Sequence, residues 1–250
     1  MVIYALLVLS LASPFIYKSQ STSHKKGRDL VLVLDTSGSM AERGFSSSDG
    51  SQSKYEISVS LAKSFIEHRY DDNVGLVVFG TFAFTASPLT YDLKALNEMF
   101  DLMSSVGIAG TSTAIGDALI QGLDTLKVGK AKSKVLVLLT DGVHNAGDNS
   151  PHQAVLLAKE QGVKIYTIGI GKKEDYDVKL LTKVAQETKA KSFFCKDSDE
   201  LKEVYEEIDK LEPSPIRSEE YLQREMLFLY PLLLAMALLL VLIFKDEEMA

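Results

Sequence analysis

The pattern of apolar and polar positions divides the chain into two apolar ends and an alternating middle. In the middle, short apolar runs predict strands over residues 29–35, 74–79, 135–140, 163–170 and 192–195, with a short edge strand at 82–85. Apolar residues that recur every three or four positions predict helices over residues 55–69, 93–103, 114–126, 151–161, 178–188 and 201–211. Buried strands that alternate with helices predict an α/β fold with a doubly wound, mainly parallel sheet that helices flank on both faces.

The two apolar ends predict membrane segments. Residues 226–244, MLFLYPLLLAMALLLVLIF, carry no charge, and a helix of this length nearly crosses a hydrocarbon core of about 30 Å. Residues 1–17, MVIYALLVLSLASPFIY, form a second uncharged run. We expect both to be transmembrane helices. A cleaved signal peptide stays open as an alternative for the first, because SLAS resembles a cleavage site for signal peptidase.

The charges that flank these runs predict a topology. Residues 18–28 contain four basic and no acidic residues, whereas the tail 245–250 is acidic. Because an excess of Lys and Arg marks the cytoplasmic side, we expect a multi-pass protein of the bacterial inner membrane with its middle domain in the cytoplasm. A periplasmic domain is the alternative. The predicted organisation is a span at 1–17, a basic segment at 18–28, a domain at 29–211, a linker at 212–225, a span at 226–244 and a tail at 245–250.

Composition excludes several classes of protein. The chain has 250 residues, a net charge of −7 and a single cysteine. One cysteine excludes a disulfide framework and any metal site built from several thiolates. The acidic balance argues against nucleic acid as a partner.

Hydroxyl and carboxylate side chains follow the ends of the predicted strands. Asp35, Ser37 and Ser39 follow the first strand, and Asp141 follows the strand VLVLLT. The segment 110–116, GTSTAIG, offers further hydroxyls before a helix. Ligand sites in such folds lie at the carboxyl ends of the strands, so we expect these groups to converge. A set of oxygen ligands without His or Cys suits Mg²⁺, Mn²⁺ or Ca²⁺, and its few charges leave a metal able to accept an outside carboxylate.

The three motifs together resemble the von Willebrand factor A (vWA) domain. They are D-x-S-x-S after a strand, a Thr before A-I-G, and T-D-G after a buried strand. The resemblance covers residues 29–211 and implies a Rossmann-like fold with a metal-ion-dependent adhesion site (MIDAS). Thr113 matches the family's Thr better than Thr111 does, because Thr113 directly precedes A-I-G. The ligands that the resemblance implies are Asp35, Ser37, Ser39, Thr113 and Asp141.

Longer phrases resemble the bacterial aerotolerance (Bat) family of membrane-anchored vWA proteins. They include RDLVLVLDTSGSM, GLVVFGTFAFTASPLTYD and VLLTDGVHNAG. Members are often encoded with a MoxR-type AAA+ ATPase, which implies that ATPase and other Bat-like membrane proteins as partners in a stress, aerotolerance or maturation complex. This chain departs from the family in having one apolar segment at its N-terminus rather than a pair.

Two other functions compete with protein binding. Asp35-Thr36-Ser37-Gly38 and the segment 110–114 are similar to pieces of a subtilisin-like hydrolase, whose triad runs Asp, His, Ser along the chain. The intervening histidine, His68, lies in a helical stretch without a glycine-rich setting, and no P-loop is present. We therefore expect a protein that is not an enzyme. The second alternative is a structural membrane scaffold that works without metal.

Overall fold

The computed structural model describes residues 1–13, 15–18, 27–45, 50–67, 69, 72–103, 105–212, 223–226 and 228–247. Most of the predicted basic segment and linker, together with His68, lie outside the described residues. The chain divides into two compact units, one formed by Met1–Lys25 with Arg217–Ala250 and the other by Lys26–Ile216.

Strands and helices alternate along much of the chain, most regularly over residues 134–211. The strands are β1 (Phe15–Lys18), β2 (Asp29–Asp35), β3 (Asn73–Phe79), β4 (Ala83–Thr90), β5 (Lys134–Thr140), β6 (Lys164–Ile170), β7 (Ser192–Cys195) and β8 (Gln223–Met226). The helices are α1 (Val2–Leu11), α2 (Lys54–Glu67), α3 (Leu93–Leu102), α4 (Ile115–Lys127), α5 (Pro151–Gln161), α6 (Val178–Glu187), α7 (Ser198–Leu211) and α8 (Leu229–Glu247).

The unit Lys26–Ile216 is built on a six-stranded sheet in the order β4-β3-β2-β5-β6-β7. Every neighbouring pair is parallel except β3 and β4. This confirms the predicted mainly parallel α/β sheet. The edge strand β4 extends to Thr90 and is longer than predicted, since an edge strand tolerates Pro88 within it.

The sheet is buried on both faces because its strands are apolar at consecutive positions. All seven residues of β2 are buried. Leu30, Leu32 and Leu34 pack with α2, α3 and α7 on one face. Val31 and Val33 pack with α4, α5 and α6 on the other. The strand ends are therefore held between two packed layers, which fixes the positions of the loops that follow them.

An ion-pair cluster joins the beginning and the end of this unit. The Glu212 carboxylate pairs with Arg28 at 3.5 Å and with Lys164 at 2.5 Å, and it accepts a hydrogen bond of 2.9 Å from the Tyr166 hydroxyl. Arg69, only 1% exposed, donates to the Glu212 carbonyl at 3.0 Å. Because Arg28 precedes β2 and Lys164 begins β6, the cluster lies at the amino edge of the sheet.

The unit that contains both chain ends differs from the sequence prediction. The helix expected over 1–17 ends at Leu11, and β1 follows it and pairs antiparallel with β8. The helix expected over 226–244 begins only at Leu229, because Met226 belongs to β8. A helix as short as α1 rises only about 15 Å, half of a hydrocarbon core. Across the described residues, the structure has no helix with the length and apolar character that crossing a membrane requires.

We predict that Glu212→Gln lowers the free energy of unfolding by about 2 kcal/mol, because it leaves the positive charges of Arg28 and Lys164 without their buried partner. Glu207→Gln is the matched control, since Glu207 forms an exposed pair with Lys191 and such pairs contribute about 0–1 kcal/mol. Urea unfolding of the purified protein followed by circular dichroism measures both. Equal losses in the two variants would contradict the assigned role of Glu212.

Candidate metal centre

The five predicted site residues all lie at the carboxyl edge of the sheet. Asp35 is the last residue of β2. Ser37 directly precedes a short 3₁₀ helix, Gly38–Ala41, and Ser39 lies within it. Asp141 directly follows β5, the strand that pairs with β2. Thr113 precedes α4 by two residues. Three separate loops thus deliver these side chains to one edge of the sheet.

Hydrogen bonds link the first loop to the third. The Ser37 and Ser39 hydroxyl oxygens are 3.2 Å apart, and Ser39 Oγ donates to Asp141 Oδ1 at 2.6 Å. The Ser39 proton is therefore directed at a carboxylate, so Ser37 donates the bond between the two hydroxyls and one lone pair of the Ser39 oxygen remains for another partner. Burial raises the pKa of Asp141, an effect that the hydrogen bond from Ser39 and the nearby Lys54 partly offset.

Asp35 is a carboxyl group without exposure to water. Its oxygens accept hydrogen bonds from the Ser37 amide at 2.8 Å and from the Thr140 hydroxyl. Burial nevertheless raises the pKa of Asp35 to about 7, because the charged form loses more hydration than these bonds replace. A cation beside Asp35 would favour its ionised form.

Asn145 holds Thr113 in place, a role that the sequence did not indicate. The Asn145 side-chain carbonyl accepts from the Thr113 amide at 2.8 Å, and the Asn145 amide donates to the Thr113 carbonyl at 3.1 Å. Gly142 lets the two loops approach, since a Cβ there would lie 2.8 Å from Thr113 Oγ1. Asn145 and Gly147 in the segment HNAG favour a turn, but this pattern does not identify the partner of Asn145.

The loop after β5 is also fastened to α4. The Asp117 carboxylate accepts from the Asp148 amide at 3.1 Å and from both the amide and the side chain of Asn149 at 2.8 Å. These bonds outweigh the effect of burial and lower the pKa of Asp117. Gly147 has a φ of +97°, and a Cβ there would lie 2.5 Å from Asp117 Oδ2. The loops that carry Thr113 and Asp141 are thus connected at two points.

Lys54 is the second residue that the sequence did not indicate. It begins α2, and its Nζ lies 3.1 Å from Asp141 Oδ2 while it also pairs with Glu42. Burial lowers the pKa of Lys54, but its ion pairs with Glu42 and Asp141 outweigh that effect and raise it overall. A single lysine after a serine-rich segment carries no recognisable signal for this position.

The donor set fits a hard divalent cation. Ser39, Thr113 and Asp141 line an open cleft of about 420 Å³. Within the described part of the chain, no three His, Cys, Asp or Glu side chains converge as a metal cluster, so any cation here depends on hydroxyl oxygens as well as two carboxylates. Mg²⁺ accepts such oxygen ligands and keeps waters in its shell, and the open cleft gives an outside ligand access.

The chain belongs to the von Willebrand factor type A domain family, whose profile matches residues 29–207. An uncharacterized protein of Borreliella burgdorferi is 36% identical over 174 residues, which cover 70% of this chain and 50% of that protein. The chain therefore spans half the length of this curated relative.

Solved structures share the fold. BatB from Bacteroides thetaiotaomicron is 21% identical with a TM-score of 0.62, over 74% of this chain and 98% of that one. Proximal thread matrix protein 1 from the mussel byssus, with a zinc-occupied MIDAS motif, is 23% identical with a TM-score of 0.58. That match covers 82% of this chain and 49% of the mussel chain.

We predict that the metal-free protein loses stability as pH rises from 5 to 7. The folded-state pKa of Asp35 is raised from 3.8 to about 7, so folding favours the protonated form and this contribution is lost as pH rises through 7. The expected slope is on the order of 1 kcal/mol per pH unit. Chemical unfolding in EDTA at several pH values measures it, and Asp35→Asn should flatten the profile. A slope as steep in that variant as in the wild-type chain would contradict the assignment to Asp35.

We predict that Asn145→Ala weakens Mg²⁺ binding about 10- to 100-fold, the usual cost of losing a residue that orients a ligand. The reason is that Thr113 loses the hydrogen bond from its amide to the Asn145 side chain but keeps its own hydroxyl. Asn149→Ala is the matched control, because it removes a bond to Asp117 at the far end of the same loop. Isothermal titration measures both affinities, and equal weakening would argue against a specific role of Asn145.

Proposed function

We propose that this protein is an interaction module that binds a divalent metal ion at Asp35, Ser37, Ser39, Thr113 and Asp141, and through it an acidic side chain of a partner protein. The main support for the proposal is the hydrogen-bonded series Ser37, Ser39 and Asp141. Ser39 and Asp141 line an open cleft together with Thr113. This group of side chains combines hydroxyl oxygens that can still coordinate a metal ion with little negative charge.

Each group has a distinct task in this proposal. The hydroxyls of Ser37, Ser39 and Thr113 supply neutral oxygen ligands, and the buried Asp35 and Asp141 supply the compensating charge. A bound ion supplies an open coordination position that an incoming carboxylate can fill. Charge-assisted contacts of this kind give direction as well as affinity.

The choice of ion rests on the donors. Oxygen ligands alone favour Mg²⁺, with Mn²⁺ or Ca²⁺ as the next candidates. The mussel protein with zinc at its MIDAS motif supports metal binding by this fold in general. Mg²⁺ is our proposal for this chain.

We propose binding rather than catalysis. The Ser39 hydroxyl donates its hydrogen bond to the Asp141 carboxylate rather than to a histidine that would activate it as a nucleophile. Similarity to BatB supports the vWA fold of this chain, and the choice of binding over catalysis rests on the site itself.

We propose a MoxR-type AAA+ ATPase and other Bat-like membrane proteins as partners, in a stress, aerotolerance or maturation complex. The Bat-like phrases and the likeness to BatB support this. We also propose membrane association through the terminal segments 1–17 and 226–244, with the domain 29–211 on the cytoplasmic side. Large apolar side chains on α1 and α8 are exposed, among them Val8, Leu11, Leu233 and Met236, and exposed apolar patches mark membrane or protein contacts.

The direct test is binding of the purified chain to a purified MoxR-type ATPase from the same organism, with Mg²⁺ or with EDTA. We expect binding that EDTA abolishes, Mg²⁺ restores and Asp141→Ala removes. Asp124→Ala is the matched control, since Asp124 pairs only with exposed Lys127 among the contacts of the described residues. Binding that survives both EDTA and Asp141→Ala would favour the metal-independent scaffold instead.

A further inference from the structure

Lys54 places a positive charge directly beside the proposed metal site. Its Nζ lies 3.1 Å from Asp141 Oδ2, pairs with Glu42 and lies 3.9 Å from Asp175 Oδ2. The Lys54 side chain is 6% exposed, whereas those of Glu42 and Asp175 are 61% and 36% exposed. Water screens the two outer pairs more than the inner one, so the pairing with buried Asp141 is the least screened of the three ion pairs of Lys54.

The fold holds this ammonium group in position. The Lys54 amide donates to the Glu42 carbonyl at 2.8 Å, and Ser58 Oγ donates to the Lys54 carbonyl at 2.7 Å. Gly171 leaves space for the side chain, since a Cβ there would lie 3.1 Å from Lys54 Nζ. The charge is therefore a built part of the cleft rather than a mobile surface lysine.

Because of the position of Lys54, the two carboxylate oxygens of Asp141 face different partners. Oδ1 of Asp141 accepts from Ser39, and Oδ2 faces Lys54. A cation bound near Ser39 shares this carboxylate with an ammonium group and is repelled by it. The protein then offers the cation less negative charge than two carboxylates alone would, and the cation keeps more of its own charge for another anion.

We propose that Lys54 sets the balance between metal binding and ligand binding at this site. It lowers the affinity of the domain for the divalent ion, and it raises the affinity of that bound ion for a partner's carboxylate. This inference rests on the proposed function, because it assigns Lys54 a task toward the same metal site.

The test compares Lys54→Met with the wild-type chain. Lys63→Met is the matched control, because Lys63 lies on the same helix and pairs with exposed Asp101. Mg²⁺ affinity is measured by isothermal titration. Acetate serves as the carboxylate probe, and its affinity for the Mn²⁺-loaded chain is measured from the relaxation of its methyl protons. Lys54→Gln, which keeps a hydrogen-bond donor toward Asp141, is measured in parallel in case Lys54→Met does not fold.

We expect the neutral Lys54 variants to bind Mg²⁺ about tenfold more tightly and acetate more weakly, and Lys63→Met to match the wild type in both. Unchanged Mg²⁺ affinity in the neutral variants would overturn the role of Lys54 while leaving the proposed function intact. Absence of Mg²⁺ binding in the wild-type chain itself would overturn the proposed function, which separates the two failures.

Discussion

Burial of two carboxyl groups at the carboxyl edge of the sheet is the constraint on which the rest of the site depends. Asp35 and Asp141 are at most 1% exposed, because β2 and β5 lie in the middle of the sheet and end between packed helices. A buried carboxylate is stable only when hydrogen bonds or a positive charge compensate it. The surrounding residues supply both in part, through the hydroxyls of Ser39 and Thr140 and through Lys54.

Much of the fold and the positions of the candidate residues could be predicted from the sequence. Strands that are apolar at consecutive positions predict a parallel sheet that is covered on both faces. Ligands bind at the carboxyl ends of such strands, which identifies Asp35 and Asp141 as candidates. Each of these inferences depends only on neighbours along the chain. The predicted helix bounds also agree closely with the observed ones, except that α7 begins at Ser198 rather than at residue 201. Caps such as Asp92 and Ser150 act within one turn of the helix that they begin.

The residues that the sequence did not reveal are those whose partners are distant along the chain. Lys54 reaches Asp141, and Asn145 reaches Thr113, through contacts that only the folded sheet creates. The predictions for the two chain ends differed from the structure for another reason. Apolar content predicts burial or membrane contact, but it did not predict that β1 would pair with β8, which ends the first helix at Leu11 and moves the start of the second to Leu229. Each of these strands has only four residues, and the pairing joins segments near opposite ends of the chain, so no local pattern marks it.

The two edges of the sheet carry different groups of polar residues. The amino edge carries the ion-pair cluster of Arg28, Arg69 and Glu212, so the chain enters and leaves the vWA unit there. The carboxyl edge carries the candidate metal centre. We propose that a divalent ion binds at this edge, and a crystal structure of the Mn²⁺-soaked protein with an anomalous difference map tests this binding. We predict one strong peak among Ser37, Ser39 and Thr113, and this proposal would be contradicted by a map without a peak at that position.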